Sequence, residues 1–554
     1  PLWRAIFALD ANWTPDQQIA HLHEQLQAIN PSFVARLPLL NVVLNLDLPE
    51  NALTQSLDAR LRKELLHALL VDCLRALAAR SPILLVLEAC QWLDALSLEL
   101  LETIGKTIVD LPVLLVLTYR PLERERVQLT AVRSLPHYTE VELRPLTAEE
   151  AGHFVQLKLE QVVGASALVP PGLVERLSAQ AEGNPFYLEE LINYLHVRGF
   201  DFSDAGALET VELPDSLQRL VLSLVDQLTE SQKITVKVAS VIGRVFPAAW
   251  LHGAYPELGD PARIHADLET LRQQELMSLG STEPELVYLF RQVITQGVTY
   301  ESLPFSVKAT VHEQIGHFIE QHYPDAINQY LDLLAYHYDH SVNQEKQRTY
   351  LRRAGEAAQT NFANLAAIDY FQRLLLALDS AQQGEVMLKL GQVLDTIGQY
   401  EEAESRLHTA LTLAQQQDDS PLQIQCQIAL GELRRKQSRY VEAAHSFDWA
   451  QTAAEQIGDQ AGVAKALVCA GSLRLDQGDY AALSGGHARS LAIRRGLDDQ
   501  PNISNVLNNM AITAANQGDF AGAQTLFAES LAIRRHLHDR WGVTNSLNNL
   551  GELA

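Results

Sequence analysis

The stretch PILLVLEACQWLDALSLELL, residues 82 to 101, runs a series of branched apolar residues directly onto a carboxylate, Glu88. A buried strand that ends in an acid is how many nucleotide hydrolases present oxygen to a magnesium ion, because the strand fixes the carboxylate and the cation takes hard oxygen donors. The next residue is Ala89, so one of the usual two acids is missing. A phosphate-holding loop would read GxxxxGK[ST] directly after a strand, with its amides curled around the phosphates at a helix start. The nearest approach, IGKT at 104–107, has Leu100 where the first glycine belongs and lies inside a helical pattern, so Lys106 reads as a solvated helix residue. The histidine pairs His21/His23 and His337/His340 lack an HExxH context and a third ligand, and read as helix polarity rather than metal ligands.

Bulk properties narrow the classes. A chain of 554 residues must hold several domains. With 43 Lys+Arg against 68 Asp+Glu, the net charge of −25 repels nucleic acid and anionic membrane. Cys73, Cys90, Cys426 and Cys469 are scattered without CxxC spacing, which suggests neither a disulfide framework nor a zinc site and fits a reducing cytoplasm. The longest apolar runs are far shorter than the roughly 20 residues of a membrane helix. Pro1 opens the chain without Met or signal peptide and NNLGELA closes it inside a repeating pattern, so the chain reads as a fragment at both ends.

The elements that must hold Glu88 follow from periodicity. Apolar runs at 82–88 and 112–118 flank a helical pattern from Leu93 to Val109, and YTEVEL at 138–143 is a third candidate strand. Strand, helix, strand with wholly apolar strands predicts parallel pairing. Residues 144–207 turn helical after a capping signal, Thr147 with Glu149 and Glu150. A further unit opens at 213–228, and ELMSLGSTEPELVYLF at 275–290 reads as two short strands around a Gly/Pro turn; helices closed by such a hairpin suggest a winged helix. From about residue 305 the pattern is all helical.

The C-terminal third repeats. Gly391, Gly431, Gly471 and Gly551 are separated by multiples of 40, with Ala511 in the remaining slot; Tyr400, Tyr440, Tyr480 and Phe520 keep the step, as do Ala403, Ala443 and Ala523. SLAIRR occurs identically at 490–495 and 530–535. Small residues recur where helices cross closely and an aromatic at each turn packs on the next pair, which predicts a helix-turn-helix solenoid. The region resembles tetratricopeptide repeats (TPRs) in a form of about 40 residues, with a decayed copy at 340–378. The third copy departs from the pattern: Gly485 and Gly486 fall inside its second helix, each costing about 1 kcal/mol against Ala.

The stretch around Glu88 resembles the Walker B region of the STAND class of P-loop ATPases, above all the AAA-like modules beside nucleotide cyclase domains, kinases and LuxR-like regulators. Glu88, Gln91, Trp92, Asp94 and Ser97 fit that pattern and Ala89 does not. LLVLTYRP at 114–121 resembles the class's sensor strand, which assigns Thr118 and Arg120 to the terminal phosphate. EGNPFYLEEL at 182–191 resembles its GxP motif, in which Gly183 and Pro185 would close over adenine. YLFRQVITQGVTYESLP at 288–304 resembles the end of its winged-helix unit, with Gln292 where many relatives carry His. The resemblance implies ATP or ADP with magnesium, Glu88 ordering the ion through water. The base that orients or deprotonates the attacking water is lost at Ala89, making hydrolysis slow, at a cost of about 10²- to 10⁴-fold. Each motif also has a plain reading: Glu88 as a strand end, Arg120 as a surface ion pair, Gly183-Asn184-Pro185 as a turn.

The expected fold class is therefore multidomain α/β plus all-α. It divides into a partial P-loop NTPase sheet (1–145) without its Walker A loop, a helical lid (146–207), a winged-helix-like domain (208–310), a helical linker with the degenerate repeat (311–378) and TPR repeats (379–554). The expected function is a nucleotide-dependent signalling switch whose TPR arm binds a protein or peptide and regulates an attached or partner cyclase, kinase or regulator. The rival is a nucleotide-inactive TPR scaffold. This stretch alone is expected to hold no nucleotide tightly. In stacked helix pairs the first helix lines the concave face, and there NVLNNM at 505–510 recurs as NSLNNL at 545–550. Asn508, Asn509, Asn548 and Asn549 thus form a row of neutral donors and acceptors suited to an extended peptide backbone. The alternative is that one Asn of each pair faces solvent and the other bonds a neighbouring helix.

Overall fold

The structure, a computed structural model, describes residues 2–553 apart from 11–12, 45, 47, 52, 55–56, 58, 89, 91–92, 94, 120–129, 164–170, 199, 201, 203–212, 282–285, 479–482 and 538. The chain forms two compact units, one of residues 1–138 with 345–554 and one of residues 139–344.

In the first unit, helices α1 (Pro15–Ile29) and α2 (Ala59–Ala78) precede strand β1 (Ile83–Leu87). Helix α3 (Ala95–Thr107) leads through one 3-10 turn to β2 (Val113–Leu117). The strands pair in parallel with Ile83 opposite Val113 and Leu87 opposite Leu117, as the apolar runs predict. One face, through Ile83, Leu85, Val113 and Leu115, packs on Leu22, Leu26, Leu69, Leu70 and Leu74. On the other, Leu84, Val86, Leu114 and Val116 are 37–63% exposed, so among the described residues the two-sided cover of a full parallel sheet is not present. Among the described residues this sheet has two strands. The third expected strand is a correction: 138–143 is irregular, with Val141 and Leu143 exposed. Its alternating side chains satisfy strand propensity, but a strand needs an edge to pair with, and this stretch instead joins the two compact units.

The second unit opens with three helices, α4 (Ala148–Val163), α5 (Pro171–Ala181) and α6 (Pro185–Val197), whose apolar faces meet through Val155, Leu159, Leu173, Leu177, Leu188 and Ile192. The expected capping signal forms a reciprocal box: the Glu150 amide donates to Thr147 Oγ1 at 3.3 Å, and the Thr147 amide donates to Glu150 Oε2 at 2.8 Å. Next come α7 (Leu217–Asp226), α8 (Glu230–Ile242), β3 (Val245–Pro247), α9 (Ala248–Ala254), α10 (Pro261–Gln273), β4 (Met277–Ser281) and β5 (Val287–Phe290). The hairpin strands β4 and β5 pair antiparallel, and β3 joins the far edge of β5 in the order β3-β5-β4. Helices α11 (Val293–Glu301), α12 (Phe305–His322) and α13 (Leu331–Asp339) complete this unit.

The rest is stacked helix pairs: α14 (Gln344–Thr360) with α15 (Asn364–Ala377), α16 (Gly384–Thr396) with α17 (Tyr400–Gln416), α18 (Ser420–Lys436) with α19 (Tyr440–Ile457), α20 (Gln460–Asp476) with α21 (Leu483–Gly496), and α22 (Gln500–Asn516) with α23 (Phe520–His536), followed by α24 (Arg540–Leu553). The small residue of each first helix receives a large residue 16 positions later: Gly355 meets Phe371, Gly391 Leu407, Gly431 Phe447, Gly471 His487, and Ala511 clusters with Phe527. A methyl at any of these glycines would overlap the incoming ring or branched side chain, so the glycines set the helix separation. The expected aromatic row is uneven: Tyr440 packs on the cluster of Ala443, Phe447 and Leu473, whereas Phe520 is 60% exposed; Tyr480 lies outside the described residues. Within pairs the chain turns through left-handed residues at Gly398, Ser438, Gly478 and Gly518. Asp419, Asp459, Asp499 and Asp539, at the same step of 40, cap the following first helices.

Candidate functional sites

Parallel pairing in register carries Glu88 and Thr118 out of the carboxyl ends of adjacent strands. The Thr118 amide donates to Leu87 O at 2.9 Å and the Cys90 amide donates to Thr118 O at 2.8 Å, which extends the ladder past the last paired residues. Glu88 and Thr118 are both solvent-exposed. Ligands of open α/β sheets bind at this edge. A carboxylate and a hydroxyl are hard oxygen donors of the kind that a cation keeping most of its water takes. The two do not fit a triphosphate by themselves. Gly105 and Lys106 lie within α3, where Lys106 pairs with Glu102 at 2.5 Å, and they offer no free helix start. Ala89, Gln91, Trp92, Asp94 and Arg120 lie outside the described residues. Among the described residues, no group of three or more His, Cys, Asp or Glu is placed to hold a metal.

The Gly183-Asn184-Pro185 turn starts α6. Gly183 has φ +75°, and a β-carbon there would overlap Leu146 O and approach Leu146 N at 2.9 Å, so two backbone segments touch where only glycine fits. The Leu146 amide donates to Gly183 O at 2.8 Å. Asn184 Oδ1 accepts from the Phe186 and Tyr187 amides at 3.0 and 3.2 Å, and Pro185 occupies the first helical turn, where its missing N–H costs nothing. Each of the three therefore has a local structural role. On the same helix, burial raises the Glu190 carboxyl pKa, with Glu189 and Glu275 adding to the effect and Arg291 opposing it; Arg291 pairs with Glu275 at 2.8 Å. Gln292 sits exposed at the start of α11 and makes no side-chain cap.

In the solenoid, neighbouring first helices are clasped across the stack. Arg352–Glu385 (2.7 Å) and Lys389–Glu356 (2.5 Å) join α14 to α16, Lys436–Asp395 (2.7 Å) joins α16 to α18, and Arg435–Asp476 (2.5 Å) joins α18 to α20. At α22 and α24 the clasp is neutral: Asn549 Nδ2 donates to Asn508 Oδ1 at 3.1 Å. The structure thus brings together two of the four asparagines singled out from the sequence. Asn508 is buried, Asn509 and Asn549 are half-buried, and Asn548 is exposed.

Sequence reasoning missed what the SLAIRR segments do. Their first arginine is buried in both copies. Arg494 pairs with the capping Asp499 at 2.6 Å, whereas Arg534 donates to Gly542 O (2.8 Å), Ser546 Oγ (3.0 Å) and Asn505 Oδ1 (2.9 Å). The identity of the two segments was the available signal, since six consecutive matches are more than a surface requires.

Residues 382–456 and 462–553 match the tetratricopeptide repeat family, and the C-terminal part is built of such repeats. The chain is 24% identical over 267 residues to an uncharacterized protein of Rhizobium meliloti, the match covering 47% of this chain and 24% of that protein. Among solved structures it is similar to a signal transduction ATPase with numerous domains (STAND) that carries a tetratricopeptide repeat sensor, from Pyrococcus horikoshii, at 13% identity and TM-score 0.35, covering 94% of this chain and 77% of that one. It is also similar to aspartyl phosphate phosphatase F from Bacillus subtilis, at 12% identity and TM-score 0.34, covering 75% and 96%. Among the described residues no helix is long and apolar enough to cross a membrane.

Proposed function

We propose that this chain is the sensor-bearing part of a STAND-type nucleotide switch in the cytoplasm, whose tetratricopeptide solenoid binds a protein segment and so controls an attached or partner effector. The observation that carries the reading is the placement of Glu88 and Thr118 just past the carboxyl ends of two parallel strands, in a chain that also carries a tetratricopeptide solenoid. In this reading Glu88 orders magnesium through water, Thr118 and Arg120 face the terminal phosphate of ATP, and Gly183 with Pro185 closes over the adenine. The run of helices, β3 and the β4–β5 hairpin has the order of a winged helix, the element that packs differently in the two nucleotide states. Glu88 supplies the first acid of the site; with Ala89 in the second place, binding outlasts hydrolysis.

The test is magnesium-dependent ATP binding by the full-length protein, titrated by calorimetry for wild type and Glu88→Gln. A magnesium-dependent gain in affinity that Glu88→Gln removes supports the switch. Equal affinity with and without magnesium in both proteins overturns it. A second reading, a nucleotide-inactive scaffold, is favoured by one observation: Gly183, Asn184 and Pro185 are fully used in closing their own turn. It requires that partner capture by the solenoid be indifferent to ATP.

A further inference from the structure

The contact that sets the separation within each helix pair is apolar in four pairs and not in one. Phe371, Leu407, Phe447 and Phe527 fill it elsewhere; in the α20–α21 pair the residue is His487, seated on Gly471. His487 is 2% exposed, and neither ring nitrogen has a hydrogen-bond partner among the described residues. A neutral imidazole can occupy an apolar contact, but an imidazolium there would be desolvated with no acceptor among the described residues. The same helix carries Gly485 and Gly486 in its first turn, where among the described residues nothing lies within 4 Å of a Gly485 β-carbon and Leu467 stands 3.9 Å from that of Gly486. The pair is thus weakened at the contact and in the helix that makes it.

We propose that the α20–α21 pair is a proton-sensitive joint in the solenoid, closed while His487 is neutral and loosened when it takes up a proton. Helices α18, α19 and α22 pack on the α20–α21 pair. The charged or histidine side chains of α18 are Glu432, Arg434, Arg435 and Lys436, and those of α19 are Glu442, His445, Asp448 and Glu455. The charged side chains of α20 are Lys465, Arg474 and Asp476, those of α21 are Arg489, Arg494 and Arg495, and α22 has none. Arg489 pairs with Glu455, Arg494 with Asp499, Arg495 with Glu529 and Asp476 with Arg435. None contributes to His487, whose pKa is pushed down by burial alone. The sign follows. A folded-state pKa below the ordinary value of about 6.5 means that the open pair binds the extra proton, so closure is complete above that value and is lost as pH falls through it.

The test is hydrogen exchange of the full chain at pH 7.5 and 5.5, corrected for intrinsic rates and read on peptides from α20 and α21. His487 is the only histidine within α20 and α21, so a histidine titration carried by these helices is its own, and His445 on the neighbouring α19 is unchanged in the variants. The opening equilibrium of these peptides should rise about tenfold between the two pH values in wild type, the limit for one group of pKa about 6.5 that titrates only when open. In His487→Phe, the residue of the flanking pairs, and in His487→Leu as a second variant, the rise should fall to less than twofold. No rise in wild type, or a tenfold rise that persists in a folded variant of either kind, overturns the proposal.

Discussion

Asn549 reaches across from α24 and donates its side-chain amide to Asn508 on α22. This bond occupies the place in the stack that ion pairs fill between earlier first helices, so these two asparagines hold helices together. Asn508→Ala should therefore destabilise the solenoid by about 1–2 kcal/mol, from a lost hydrogen bond and a cavity at a buried site. Asn548→Ala, at an exposed site, should stay within about 0.5 kcal/mol of wild type in a denaturant melt. If a captured partner is lost in Asn548→Ala or Asn509→Ala while stability holds, the row serves recognition; unchanged affinity in both confines it to packing.

Gly183 should be intolerant of any side chain. Its φ of +75° and its contact with Leu146 O mean that Gly183→Ala must move the backbone between residue 146 and α6. A loss of about 2 kcal/mol or more is expected, with faster exchange at the start of α6. Asn184→Ala should cost about 1 kcal/mol through loss of the cap. A Gly183→Ala protein as stable as wild type would show that the turn tolerates the shift.

Two solenoid substitutions should stabilise. Ser438 holds φ +62° at the turn position occupied by Gly398, Gly478 and Gly518, so Ser438→Gly relieves about 1 kcal/mol of left-handed strain. Gly485 lies in the first turn of its helix, with nothing among the described residues within 4 Å of its β-position, so Gly485→Ala should add up to about 1 kcal/mol. Thermal melts of the single variants and of the pair, which lie in different repeats, should show additive gains.

These positions also mark how far the sequence could be read. Parallel pairing of β1 and β2 was legible because both runs are wholly apolar, and with it the placement of Thr118 beside Glu88. The repeat was legible because Gly391, Gly431 and Gly471 share a step. What filled each glycine was not seen, since Leu407, Phe447, His487 and Phe527 differ in type and only the helix geometry makes them equivalent. The capping row Asp419, Asp459, Asp499 and Asp539 was visible at the same period and was passed over, because aspartates at turns look like ordinary surface residues. Residues 138–143 misled because alternation records what a strand tolerates and says nothing of a partner edge.

A second group of histidines should give the other compact unit its own acid response. His312 and His337 face each other, Nδ1 to Nδ1 at 2.8 Å, and His312 Nε2 lies 3.1 Å from the Tyr300 hydroxyl. One Nδ1 must donate and the other accept, so the contact is lost once the accepting ring takes a proton on its Nδ1. Burial, with His340 and Lys308 adding, pushes His312 down to about 3, and burial with His312 and His340 pushes His337 well down. Both folded values lie below about 6.5, so stability is complete above that pH and declines as pH falls toward 3. Exchange of α12 and α13 peptides should accelerate over that range, and less steeply in His312→Gln/His337→Gln.

The last expectation concerns position 89. An acid introduced there would enter the chain between Glu88 and Cys90, and the Cys90 amide is tied to Thr118 O at 2.8 Å, beside the strand ends where the proposed magnesium site lies. A base positioned in such a site contributes about 10²- to 10⁴-fold to rate, whereas ground-state binding of nucleotide does not depend on it. In the full-length protein, Ala89→Glu or Ala89→Asp should therefore raise steady-state ATP turnover by about tenfold or more and leave nucleotide affinity within about twofold. Combining either change with Glu88→Gln should abolish the gain, because the new carboxylate acts only on a site that the first acid has assembled. Turnover equal to wild type in both single variants, with affinity unchanged, would show that position 89 plays no part in hydrolysis and would leave the chain with the scaffold reading.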